Sequence, residues 1–143
     1  MPSSDNDRYA AFERVRLRSV GVEDEIKNME GGALSEADFA ARLGITSIEM
    51  IHNYRKNGKI LAFEINPDVL LYPAWQIHRG RLLPGLSDAI AALTQEPRSP
   101  FSIANFFLSG REDLDGKRPL DLLRENRVDE VIADAGRYGQ MGA

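Results

Sequence analysis

The residues of this chain that could do chemistry are few. They are His52, His78, Trp75, the carboxylates Glu112, Asp113 and Asp115, and the glycine-bearing stretches EGGA and GRYGQMGA. A general base could be built on His78, with Trp75 as a stacking platform, inside LLYPAWQIHRGRLLPGL. Proton transfer needs partners held within hydrogen-bond reach, and no serine or aspartate pattern around His78 resembles a triad. Two histidines 26 positions apart do not make a metal site. Neither glycine stretch matches a phosphate-cradling fingerprint. The carboxylates beside Gly116 lack the ligand count and spacing of a calcium loop, so a solvated turn accounts for them. Cysteine is absent, which excludes a thiolate nucleophile and a thiolate zinc site. The expectation is a protein that is not an enzyme and carries no metal and no cofactor. On this reading Tyr72 and Trp75 pack in the core at a junction, and His78 and Arg79 are solvated.

Binding chemistry is better represented. Asn53 and Lys56 lie three residues apart on an expected helix, one suited to adenine and the other to guanine or a phosphate. The elements that must position them read out of LSEADFAARLGITSIEMIHNYRKNGK. Ser35 is a good N-cap, with Glu36 and Asp38 favouring the helix dipole. Phe39, Ala40 and Leu43 face one way, and Gly44 breaks the helix. Thr46 and Glu49 have capping-box spacing for a second helix running to about Asn57. At 100° per residue, Ile48, Ile51 and Tyr54 share its inward arc. Glu49, Asn53 and Lys56 face outward, with His52 on their flank. Ala40, Gly44 and Ile45 have the spacing of a helix-turn-helix, whose second helix can enter a major groove. Ile60–Ile65 and Val69–Pro73 then read as two short strands around the Asn66-Pro67-Asp68 turn, as a wing would. The candidate DNA-binding residues are Ser47, Glu49, His52, Asn53, Lys56 and Lys59.

The rest of the chain reads as helices. Tyr9, Phe12 and Val15 are spaced for one face, and Val22, Ile26 and Met29 for another. WQIHRGRLLPG is a connector. Leu86, Ile90 and Leu93 mark a helix, and Ser99-Pro100 opens the next, through Phe101, Ala104, Phe107 and Leu108. GREDLDGKR is a polar loop, Pro119 starts a short helix ending near Asn126, VDEVIADAGRYG is the last helix, and QMGA is a tail. The many large apolar residues of this C-terminal block fit a self-contained core on pattern alone, the other reading being that some of them face a partner.

The bulk numbers bound the possibilities. With 143 residues, 43% hydrophobic and 28% charged, the chain is an ordinary globular one. The net charge of −4 excludes a protein that merely coats nucleic acid, so DNA binding needs a local basic patch. From Ile45 to Arg81 there are five Lys/Arg against three Asp/Glu, and from Arg111 onward six against eight. No apolar run reaches membrane-spanning length, and the first residues lack the apolar block of a signal peptide. The expectation is a cytoplasmic protein.

The block FFLSG through LDGKRPLDLLRENRVDEVIADAGRYG resembles the C-terminal toxin-binding domain of the Xre/MbcA/ParS-type antitoxins. The residues that carry the resemblance are Phe106 and Phe107, Leu114, Gly116, Pro119, Leu122 and Leu123, Asn126, and then Val128, Val131 and Ile132. LYPAWQI followed by LLPGL is similar to the joint in members with an N-terminal helix-turn-helix. Asn126 departs from the usual glycine, and the polar EINPD does not map onto the family.

The resemblance implies a mainly α fold: a (winged) helix-turn-helix with a short β-hairpin, followed by a small helical toxin-binding domain. The implied division is an N-terminal helical segment at 1–30, a helix-turn-helix with wing at 31–78, and a toxin-binding and dimerisation domain at 79–143. It implies an antitoxin that sterically inhibits a RES-domain, NAD-consuming toxin and binds its own promoter DNA as a homodimer. NAD would be the toxin's substrate, not a ligand of this chain. The implied toxin-binding residues are Arg118, Leu122, Arg127, Arg137, Tyr138, Gly139 and Met141. The end of the last helix and the tail Gly139–Ala143 are the part expected to approach the toxin's active-site entrance. The other reading of the same residues is a solitary winged helix-turn-helix regulator whose C-terminal half dimerises.

Overall fold

The computed structural model describes residue 21 and residues 23–140. The helix face expected at Tyr9, Phe12 and Val15 lies outside the described residues, as do Val22 and Met141. The protein is mainly helical, with a small antiparallel sheet.

A helical stretch at 23–27 leads into strand β1 (Ala33–Leu34), then α1 (Glu36–Arg42) and α2 (Ile48–Lys56). Strands β2 (Phe63–Asn66) and β3 (Val69–Pro73) follow as a hairpin. The sheet order is β1-β3-β2, antiparallel throughout, with Leu34 opposite Tyr72 and Phe63 opposite Leu71. The hairpin turn is local chemistry: the Asn66 side-chain oxygen accepts from the Asp68 amide at 2.9 Å. Ile60 and Leu61, expected in the strand, are buried ahead of it.

Ser35 caps α1 as expected, its hydroxyl accepting from the Asp38 amide at 3.2 Å. The capping box at Thr46 does not form. Ser47 is the N-cap of α2 and makes no side-chain cap bond. Ile48, the first residue of the helix, is 40% exposed rather than inward, while Ile51 is fully buried.

The stretch read as a connector is structured. Ala74–Gln76 forms a 3-10 turn, and β4 (Ile77–His78) pairs with β5 (Arg81–Leu82) as a second hairpin. Its two turn residues, Arg79 and Gly80, have φ of 55° and 77°. Two positive φ values are what a tight hairpin turn of this hand demands, and arginine is an unusual occupant of the first.

The C-terminal part holds α3 (Leu86–Leu93), α4 (Pro100–Leu108), α5 (Pro119–Arg124) and α6 (Val128–Gln140), with a 3-10 turn at Glu112–Leu114. Ser99 and Pro100 open α4 as expected, the Ser99 hydroxyl accepting from the Ser102 amide. Asn126 takes the left-handed conformation between α5 and α6, with φ of 63°. The last helix continues through Gln140, one residue into the QMGA expected as tail.

One hydrophobic cluster runs through both halves of the chain. It includes Ile26, Phe39, Ile51, Tyr72 and Trp75 on one side, and Leu86, Phe106, Phe107, Leu120 and Val131 on the other. Trp75 joins them, its ring 5.2 Å from that of Phe107. A polar tie accompanies it: Glu30 accepts from Arg118 and Arg124, each at 2.9 Å.

Candidate nucleic-acid interface

Helix α2 presents Ser47, Glu49, Asn53 and Lys56 at exposed positions, with Lys59 exposed just beyond its end. Burial of Ile51 at its centre fixes which face these residues occupy. The outward face also carries two apolar side chains, Ile48 at 40% and Met50 at 45% exposure. An exposed apolar group beside an amide suits the methyl of thymine next to the edge of adenine. Sequence reasoning missed both: Ile48 lies on the same arc as Ile51 but at the uncovered first turn, and Met50 was given no face.

His52 is placed differently from its neighbours. It is half-buried, and its Nε2 lies 3.0 Å from one Glu36 carboxylate oxygen and 3.1 Å from the other. The Tyr72 hydroxyl donates to Glu36 at 2.8 Å. Glu36 on α1 thus fastens α2 to β3, and His52 serves that junction. Burial pushes the Glu36 carboxyl up, but the hydrogen bonds from Tyr72 and His52 outweigh it and hold the group below its ordinary value. Burial, followed by the Glu36 carboxylate, pushes the Tyr72 hydroxyl up to about 12.

The stretch around Trp75 is a joint. Tyr72, Trp75 and Gln76 are fully or almost fully buried. The Gln76 side-chain oxygen accepts from the Leu61 amide at 2.6 Å. Its nitrogen donates to the carbonyls of Leu61 at 2.9 Å and Pro73 at 3.1 Å. His78 is half-buried and Arg79 exposed.

The expected toxin-binding residues divide by environment. Arg127 and Arg137 are exposed, and with Leu122 they line one groove of about 190 Å³ between the 112–115 turn and α6. Both arginines already hold carboxylates: Arg127 pairs with Glu130 at 2.7 Å, and Arg137 with Asp113 at 3.4 Å. Leu122 is 1% exposed, so its side chain is a floor under the groove and not a free contact. Arg118 is part-buried and engaged with Asp121 and Glu30.

Tyr138 is half-buried between Arg98 and Arg111, whose guanidinium carbons lie 4.6 and 4.8 Å from the ring centre. Arg111 also reaches the fully buried Asp134 at 2.8 Å. Gly139 is buried, and a Cβ there would collide with the Ala92 carbonyl oxygen, so its task is the close approach of α6 to α3. Tyr138 and Gly139 thus both pack on a helix that is clamped against α3. Arg98 closes this end by donating to the Tyr138 carbonyl at 2.7 Å.

Among the described residues no three His, Asp or Glu side chains are grouped to hold a metal ion, and no helix is long and apolar enough to cross a membrane. A cleft of about 640 Å³ lies between residues 25–29 and α4, with Glu25, Asn28, Ser102 and Asn105 as its polar lining. Comparison of the chain with protein-family models, curated proteins and solved structures gives no significant match.

Proposed function

We propose that this protein binds duplex DNA through the outer face of α2, with the β2–β3 hairpin as wing, and acts as an antitoxin whose C-terminal helices hold a RES-type toxin. The observation that carries the DNA reading is the face of α2 itself: Asn53 and Lys56 are exposed and bound to no carboxylate among the described residues, on a helix fixed by Ile51. Supporting it is the connectivity helix, β1, α1, α2, β2, β3 with sheet order β1-β3-β2, the arrangement a winged helix-turn-helix uses. The toxin reading rests on the resemblance of the C-terminal block, and the groove that gathers Leu122, Arg127 and Arg137 is the surface it would use.

A second reading, a solitary regulator whose C-terminal half dimerises, draws on the internal engagement of Arg118, Tyr138 and Gly139. Co-purification with the product of the neighbouring reading frame separates the two. Capture of a RES-type protein supports the antitoxin, and recovery of this chain alone supports the regulator. The Asn53→Ala, Lys56→Ala double variant is expected to lose retention of promoter DNA and to keep the toxin. Loss of both together contradicts the division of labour. Deletion of residues 141–143 without loss of neutralisation contradicts an approach of the tail to the toxin's entrance.

A further inference from the structure

We infer that the β4–β5 hairpin is a second contact to duplex DNA, in which Arg79 and Arg81 bind the phosphate backbone beside the helix that reads the bases. This rests on the reading of α2 as the DNA-binding helix, and it adds residues and a role that reading does not contain.

The pairing register gives the hairpin two unlike faces. Ile77 pairs with Leu82 and His78 with Arg81. Cross-strand partners share a face, so the apolar pair lies on one side and the His78–Arg81 pair on the other. Ile77 and Leu82 pack against the core, which leaves Arg81 exposed beside His78, with Arg79 exposed at the tip.

The hairpin stands next to the end of α2. Leu82 and Leu83 line a shallow groove together with Tyr54 and Lys59. The Lys59 ammonium sits 5.7 Å from the centre of the Tyr54 ring, just past the end of the helix. The packing that seats Leu82 therefore brings the hairpin to the basic end of α2.

Ion pairing separates the two halves of the molecule. Among the described residues, Arg111, Arg118, Arg124, Arg127 and Arg137 each hold an Asp or Glu, which leaves Lys117 and Arg98 of the later Lys/Arg, and Arg98 is spent on backbone carbonyls. Between residues 42 and 81 there are six Lys/Arg and three Asp/Glu, and none of the six cations forms an ion pair among the described residues. Uncompensated guanidinium groups on an exposed edge suit a polyanion, and bidentate bonding to phosphate oxygens is what arginine does best. Arg79 further occupies a left-handed backbone position that asparagine or glycine fills with less strain, and it is exposed there. The base-reading face of α2 alongside favours DNA over other polyanions.

The test is the salt dependence of affinity of the full chain, measured on duplex from upstream of its own gene and on mixed-sequence duplex. Arg79→Ala with Arg81→Ala is expected to weaken both duplexes alike, to keep the preference between them, and to lower the slope of log K against log salt by about 2, one counterion release per lost phosphate contact. Arg79→Asn with Arg81→Gln keeps the turn and is expected to do the same. Arg79→Lys with Arg81→Lys is expected to restore most of the slope. A wild-type slope in the first two variants overturns the inference, and so does a lost preference at unchanged slope. Weakened binding to phosphatidylglycerol–phosphatidylcholine vesicles with DNA binding intact overturns it in favour of a lipid surface. If Asn53→Ala with Lys56→Ala leaves the preference unchanged, the reading of α2 fails, and the inference fails with it.

Discussion

Gln76 is the residue whose task is least visible before folding. Its amide makes three hydrogen bonds to backbone groups of Leu61 and Pro73 in a fully buried site. A side chain that clasps a passing strand has no local signature, because its partner lies 15 residues away. Tyr72 and Trp75 were legible as core from their size and their place at a junction. Gln76→Leu leaves the Leu61 amide and carbonyl buried without partners and is expected to lower stability by about 3 kcal/mol, read from urea unfolding at an unchanged m-value. A loss under about 1 kcal/mol would mean that water replaces the amide. Arg79 has the opposite sign. Left-handed backbone costs a non-glycine residue on the order of 1 kcal/mol, and asparagine bears it more easily. Arg79→Asn is therefore expected to raise the melting temperature while weakening DNA binding. A variant that is less stable would show that Arg79 holds the fold.

At the scale of elements, helix types and order were legible, and ends were not. Ser35 and Ser99 announced their helices because a serine cap is written locally. The cap of α2 was misplaced by one residue because Thr46 and Glu49 have capping-box spacing, while Ser47 is the residue that stands at the cap. The β4–β5 hairpin went unread because each strand has only two residues. The junction of α1, α2 and β3 has a pH signature. Glu36, held below its ordinary value of 4.5, contributes stability that is complete above that value and is lost as pH falls through the lowered one. Arg118 holds the carboxyls of Glu30 and Asp121 down in the same way, so they add to the same acid limb. Glu36→Gln is expected to make the fall in stability between about pH 5 and pH 2 shallower, measured by urea midpoints across that range. An unchanged acid limb would assign it to other carboxylates.

On the scale of the molecule, the sequence reading set a boundary at 78/79, and the hydrophobic cluster crosses it at Trp75 and Phe107. The helix proposed to meet DNA and the helices proposed to hold a protein partner therefore share a core. Trp75→Ala is expected to cost roughly 3–5 kcal/mol and to damage both activities through folding. A stable Trp75→Ala protein lacking only one activity would contradict a shared core. Charge is divided where packing is not, with cations left unpaired between residues 42 and 81 and mostly paired after 110. That division was half-legible, since counts can be taken from the sequence but pairing needs the geometry. The most direct measurement of the central claim is hydrogen–deuterium exchange of the full chain with and without duplex from upstream of its own gene. The account expects slowed exchange at 47–59 and 78–81, with α6 unchanged. Slowing confined to α6, or none at saturating duplex, would contradict it.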